Sequence, residues 1–101
     1  MSKPNKWRIS LFNQHAQCGY SADGPSRPVA FARVYLKAGP RFLLDQGDYP
    51  NEKQLAPGTI QDRWEAAFRA ASALIGKRYG NSYPSRASRQ DGPFIVEIER
   101  I

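Results

Sequence analysis

Cysteine is all but missing from this sequence: Cys18 stands alone among 101 residues, so no internal disulfide can form. A chain of this length buries a real core without disulfides or a structural metal, and it reads as one domain. The lone thiol, with no charged-then-apolar leader pattern at the start, points to a reducing, cytoplasmic setting. Histidine is equally scarce. His15 is the only one, in the spacing His15-x-x-Cys18, and a closed zinc site needs four donors that these two residues do not begin to supply. No metal or other cofactor is expected, and the pair reads as a loop histidine beside an incidental thiol rather than as a nucleophile and its base. No apolar run approaches the roughly 18 residues that cross a bilayer. The phosphate-binding, dinucleotide-binding and Gly-x-Ser-x-Gly patterns are absent, as are internal repeats and heptads.

Acidic residues are also in short supply, nine against fifteen Lys and Arg, for a formal charge of +6. The imbalance is uneven along the chain. Residues 1–44 hold seven basic side chains against Asp23, whereas 45–62 hold Asp45, Asp48, Glu52 and Asp62 against Lys53. A second excess lies in 76–93, where Lys77, Arg78, Arg86 and Arg89 face Asp91. A basic surface gathers polyanions and speeds their association, so nucleic acid or a complex that handles it is the first partner to consider.

What is present in strength is one helical pattern, Thr59 to Tyr79. Stepping 100° per residue from Ile60 gathers Trp64, Ala67, Phe68, Ala71, Leu74 and Ile75 on one broad stripe, with Asp62, Glu65, Arg69 and Ser72 opposite. Thr59 with Asp62 reads as a capping-box variant, and Gly80 as the stop. Before it, Lys6 to Asn13 alternates, Trp7, Ile9 and Leu11 on one face and Arg8, Ser10 and Phe12 on the other, which predicts a first strand. Residues 14–28 carry Gly19, Gly24, Pro25 and Pro28 and read as a loop. Val29 to Lys37 reads as a second strand, Ala38-Gly39-Pro40 as a tight connection and Arg41 to Asp45 as a third strand. Residues 46–58 form an acidic loop, residues 80–93 a basic Ser/Arg loop, and Phe94 to Ile101 a last alternating strand; residues 1–5 fray. The expected fold is α+β in the order βββαβ, one helix on one face of a mostly antiparallel four-stranded sheet, with the first and last strands central.

Two constellations follow from that expectation. The uncovered sheet face would present Arg8, Phe12, Phe31, Arg33, Tyr35, Lys37 and Arg41, basic groups for phosphate and aromatic rings for unpaired bases. A second copy of the chain could instead cover this face. Lys77, Arg78, Arg86 and Arg89 would form a second basic group, the first two also suited to a helix C-terminus. Asp45 with Asp48 is a close acidic pair outside a helix, and solvation accounts for it without catalysis.

The expected function is therefore non-enzymatic binding to nucleic acid or to a nucleoprotein complex. In size, basic balance and want of a catalytic motif the chain resembles the small accessory and inhibitor proteins of bacteriophages and mobile elements, including anti-CRISPR proteins. That resemblance implies an alternative, an inhibitor that docks on a host protein complex and blocks its nucleic-acid groove. A small enzyme of unrecognised type is the third reading.

Overall fold

The computed structural model describes residues 6–47, 55, 57–77, 80 and 83–101. The predicted frayed residues 1–5 and most of the acidic loop lie outside them. Four strands form one antiparallel sheet, β1 (Trp7–Asn13), β2 (Cys18–Gly24), β3 (Arg86–Asp91) and β4 (Phe94–Arg100), in the spatial order β2-β1-β4-β3. Two helices, α1 (Arg27–Leu44) and α2 (Pro57–Gly76), lie between the hairpins in sequence. The class is α+β as expected, but the order is ββααββ, with two helices in place of one.

The central pair is β1 with β4, in register from Trp7 opposite Arg100 to Asn13 opposite Phe94. Trp7, Ile9, Leu11, Phe94, Val96 and Ile98 are buried on one face, as the period of two requires. The helices cover that face and pack on the sheet more than on each other, α1 over β1 and β2, α2 over β3 and β4. Trp64 of α2 is fully buried at the centre, its ring 4.6 Å from Phe94 and 6.1 Å from Phe42, and its indole N–H donates to the Leu43 carbonyl at 2.9 Å. Ile60, Ala67, Ala71 and Ile75 are buried along the same stripe. The helix starts two residues before Thr59, which therefore sits inside its first turn rather than capping it.

The main correction concerns residues 27–44. The predicted second and third strands are a single helical element, because Ala30, Val34 and Ala38 are buried while Ala32 and Leu36 face solvent. The spacing is four, not two. Ser26 caps it, accepting from the Val29 N–H at 3.4 Å, and Pro28 sits in the first turn, where a missing N–H costs nothing. The break expected at Gly39-Pro40 is real, but it joins two helical segments: Gly39 has φ 80° and ψ 165°, a conformation essentially reserved for glycine. The 14–28 loop likewise contains β2, and the 80–93 loop contains β3. Gly24 closes β2 against α1 so tightly that a β-carbon there would stand 2.7 Å from the Ala30 nitrogen.

One buried polar side chain ties the sheet to the end of α1. The Asn13 amide donates to the carbonyls of Phe42 and Asp45, and its oxygen accepts from the His15 N–H. Breaking this set would leave buried groups unsatisfied, which makes it a fixed anchor.

Candidate nucleic-acid interface

Alternation along β1 sends Arg8, Ser10 and Phe12 to the face without helices, as expected. The register continues that face across the sheet. Asp23, Arg8, Glu99 and Arg86 form one row, and Ser21, Ser10, Glu97 and Ser88 the next. Arg86 donates to Glu97 at 2.6 Å, and the Ser10 and Ser21 hydroxyls are 2.7 Å apart. The open face is thus largely polar and internally paired. Phe12 and Ile95 are its large apolar groups, and Phe12 lies across Gly19 of the neighbouring strand.

The expected basic and aromatic sheet face is not assembled. Phe31, Arg33, Tyr35, Lys37 and Arg41 all belong to α1, on the opposite layer. Phe31 stacks on Phe68 of α2, with centroids 4.3 Å apart and planes at 17°, and Tyr35 stands 5.7 Å from Phe31. Partial burial, with Glu65 adding to it, raises the Tyr35 hydroxyl above its ordinary value. These rings serve the contact between the helices and do not join Phe12.

A different grouping forms at the free edge of β2. Arg8 reaches Asp23 with two nitrogens, at 2.9 and 3.4 Å. From the helix layer, Arg33 donates to the Asp23 carbonyl at 3.0 Å and Lys37 to the Ser21 carbonyl at 3.1 Å. Lys6 and Lys37 also act electrostatically on Asp23. Three cations therefore act on one carboxylate and a fourth, Arg33, is held on the main chain of the same residue, with Glu99 also acting on Arg8. The hydrogen bond from Arg8 holds the Asp23 carboxyl below its ordinary range against the opposing effect of desolvation, and it raises the Arg8 guanidinium in turn. A shallow depression of about 480 Å³ lies here, lined by Arg8, Ser21, Ala22, Asp23 and Lys37. The cations have a structural role as well. Edge strands expose carbonyls that invite pairing with another chain, and Arg33 and Lys37 occupy two of them.

The same pole holds cations that the alternation of β1 does not reveal. Trp7 lies between the guanidinium groups of Arg27, 5.3 Å from its ring centre, and Arg100, at 4.7 Å. The Ile101 N–H donates to the Lys6 carbonyl, which brings the chain end to the same place. In the sequence Lys6, Arg27 and Arg100 lie far from one another, and the cluster depends on β4 pairing with β1. Arg41 lies past the Gly39 break on the exposed side of α1. The second predicted group is dispersed: Lys77 follows α2, Arg86 pairs with Glu97 on the far edge, and Arg89 sits on the helix side of β3 opposite Val96. Arg78 lies outside the described residues.

Of the residues considered for catalysis, the fold brings His15 and Asp45 together. His15, in the turn after β1, is 2.6 Å from the Asp45 carboxylate, which also accepts from the Gly47 N–H. Cys18 is exposed at the start of β2, and Asp48 lies outside the described residues. Among the described residues no helix is long and apolar enough to cross a membrane, and no group of three or more His, Cys, Asp and Glu could hold a metal ion. No family model, curated protein or solved structure matches the chain.

Proposed function

We propose that the protein is a non-enzymatic module that docks on nucleic acid through the β2 edge and the adjoining face of α1. The observation that carries this reading is the gathering of Lys6, Arg8 and Lys37 around the Asp23 carboxylate, with Arg33 on the carbonyl of the same residue. Arg27 and Arg100 extend the positive surface over Trp7. Phosphate oxygens are the complementary ligand: they need charge and hydrogen-bond donors, and they need no aromatic platform. With Phe31 and Tyr35 turned to α2, contact is made to the backbone and carries little sequence preference. A labelled 20-nucleotide single strand, titrated by fluorescence anisotropy, tests it. Binding should be readily measured at about 50 mM salt and fall steeply as salt rises, with log K linear in log salt. No binding at low salt overturns the reading.

A second reading, docking on a protein complex that handles nucleic acid, is favoured by a separate feature, the exposed apolar ridge of α1. Leu36 is 81 % exposed there, flanked by Val29 one way and Leu44 the other.

A further inference from the structure

The two edges of the sheet are finished differently. Hydrogen bonds between antiparallel strands alternate along each strand. The Ile101 N–H bonds to the Lys6 carbonyl and the Arg100 N–H to the Ser85 carbonyl, which sets the phase on both sides of β4. With these strand registers, β1 bonds to Tyr20 and Ala22 of β2, and β4 bonds to Ala87 and Arg89 of β3. The main-chain groups of Gly19, Ser21 and Asp23 therefore point outward at one edge, and those of Arg86, Ser88 and Gln90 at the other. Lys37 and Arg33 cap the Ser21 and Asp23 carbonyls. Among the described residues no side chain caps the β3 edge: Arg86 lies on Glu97, and the Gln90 amide donates to the Gly92 carbonyl. We infer that β3 is the strand through which two copies of this chain join, edge to edge and antiparallel, into one continuous sheet.

Hydrogen bonding, charge and shape each select a second copy. A bare antiparallel edge is matched by another, and among the described residues β3 is the edge left open. Pairing of β3 with the capped β2 of a neighbour, which would propagate as a filament, is disfavoured, so the association closes as a dimer. Centring the pair on Ser88 sets Ser88 against Ser88 and Arg86 against Gln90 of the second copy, which uses every outward group. No like charges are directly opposed: Arg89 falls opposite Ala87 of the second copy, and Asp91 opposite its Ser85. The two Arg89 meet only on the diagonal, at roughly 7–8 Å. The approaching halves are neutral, since α2, β3 and β4 hold five basic and five acidic side chains, whereas α1, β1 and β2 hold five against one. There is room as well. Arg63 reaches Asp91 at 3.8 Å, so its flank of α2 faces β3, and Ala66 and Ala70 share that flank and are exposed. Because α2 lies over β3 and β4, the second copy's α2 would stand about 10 Å away, an ordinary helix-packing distance. The basic β2 edges then form the two ends of the dimer, about 34 Å apart.

Sedimentation velocity of nuclease-treated protein at concentrations up to about 1 mM tests this. A dimer should form in that range. It should strengthen as salt rises from about 50 to 300 mM, because salt screens the repulsion between two positive chains. Ser88→Pro removes an outward N–H and leaves the bonds to β4 in place. It should weaken dimerisation by roughly tenfold or more, with the far-UV spectrum and thermal melt of the parent. Ala70→Arg, at an exposed helix position that suits arginine, should weaken it too and decides the matter if Ser88→Pro does not fold. Phe12→Ser on the open sheet face and Leu36→Glu on α1 should dimerise as the parent does. A monomer throughout overturns the inference, as does a dimer that survives either folded interface variant. Loss of the dimer in Phe12→Ser or Leu36→Glu overturns it by placing the contact on another face. An association that nuclease or added salt dissolves overturns it by showing assembly on nucleic acid.

Discussion

The chain builds its sheet and helix layer from two halves, each a hairpin with one helix, and charges them differently. In the second half, β3 and β4 with α2, cations meet carboxylates: Arg63 with Asp91 at 3.8 Å, Arg69 with Glu65 at 3.5 Å and Arg86 with Glu97 at 2.6 Å. In the first half, β1 and β2 with α1, Arg8 alone of the Lys and Arg side chains pairs with a carboxylate among the described residues, and Arg33 and Lys37 donate to neutral carbonyls instead. Paired surface ions contribute little to stability and cancel each other's long-range field. Cations hydrogen-bonded to carbonyls keep their field. The net charge of +6 thus has a location, which the sequence total does not show.

The largest effect should come from what the halves share. Trp64→Ala removes a fully buried indole that touches both halves through Phe42 and Phe94. It should cost about 3–5 kcal/mol in urea unfolding, against about 2 kcal/mol for Val34→Ala under α1. Near- and far-UV signals should move together in one transition; separate transitions would mean that the halves fold independently.

The smallest effect should come from the one carboxylate inside the basic cluster. Asp23→Asn should tighten binding of a 20-nucleotide strand by about two- to fivefold at low salt, since it removes a single opposing charge. A weakening would show that Asp23 organises the site rather than opposing it. The same variant has a signature in acid. Because the folded Asp23 carboxyl is lowered, its pairing stabilises the fold fully above the ordinary aspartate range, and this is lost as pH falls through the lowered value. Parent and variant stabilities should therefore converge at low pH.

The sequence shows most clearly the elements that alternate around a buried face. β1, β4 and the stripe of α2 carry bulky apolar residues at fixed spacing, so their type, faces and central position are readable. β2 and β3 are hidden because edge strands of this sheet bury almost nothing: CGYSADG and RASRQD offer no apolar rhythm. The Asp91-Gly92 pair before the alternating Phe94 to Arg100 segment is nevertheless a hairpin signal, and a strand should precede it. Helix α1 passes for a strand because Ala30 and Val34 fit both periods, leaving Ala32 and Leu36 to decide. Ser26 with Pro28 is the start signal that distinguishes the two. The difference moves five candidate residues to another layer. Arg33 and Lys37 still reach the vicinity of Arg8, through the β2 edge rather than across the sheet face.

The central claim is that the surplus charge of the first half does the binding, and one paired comparison tests it directly. Arg33→Gln with Lys37→Gln removes two charges while keeping amide donors for the β2 carbonyls; Arg86→Gln with Arg89→Gln does the same on the far edge. The salt dependence of single-strand binding should flatten by about 1.4 in slope for the first pair, roughly 0.7 for each phosphate no longer neutralised, and stay at the parent value for the second. Equal flattening in both pairs, or flattening confined to the far edge, would contradict the account.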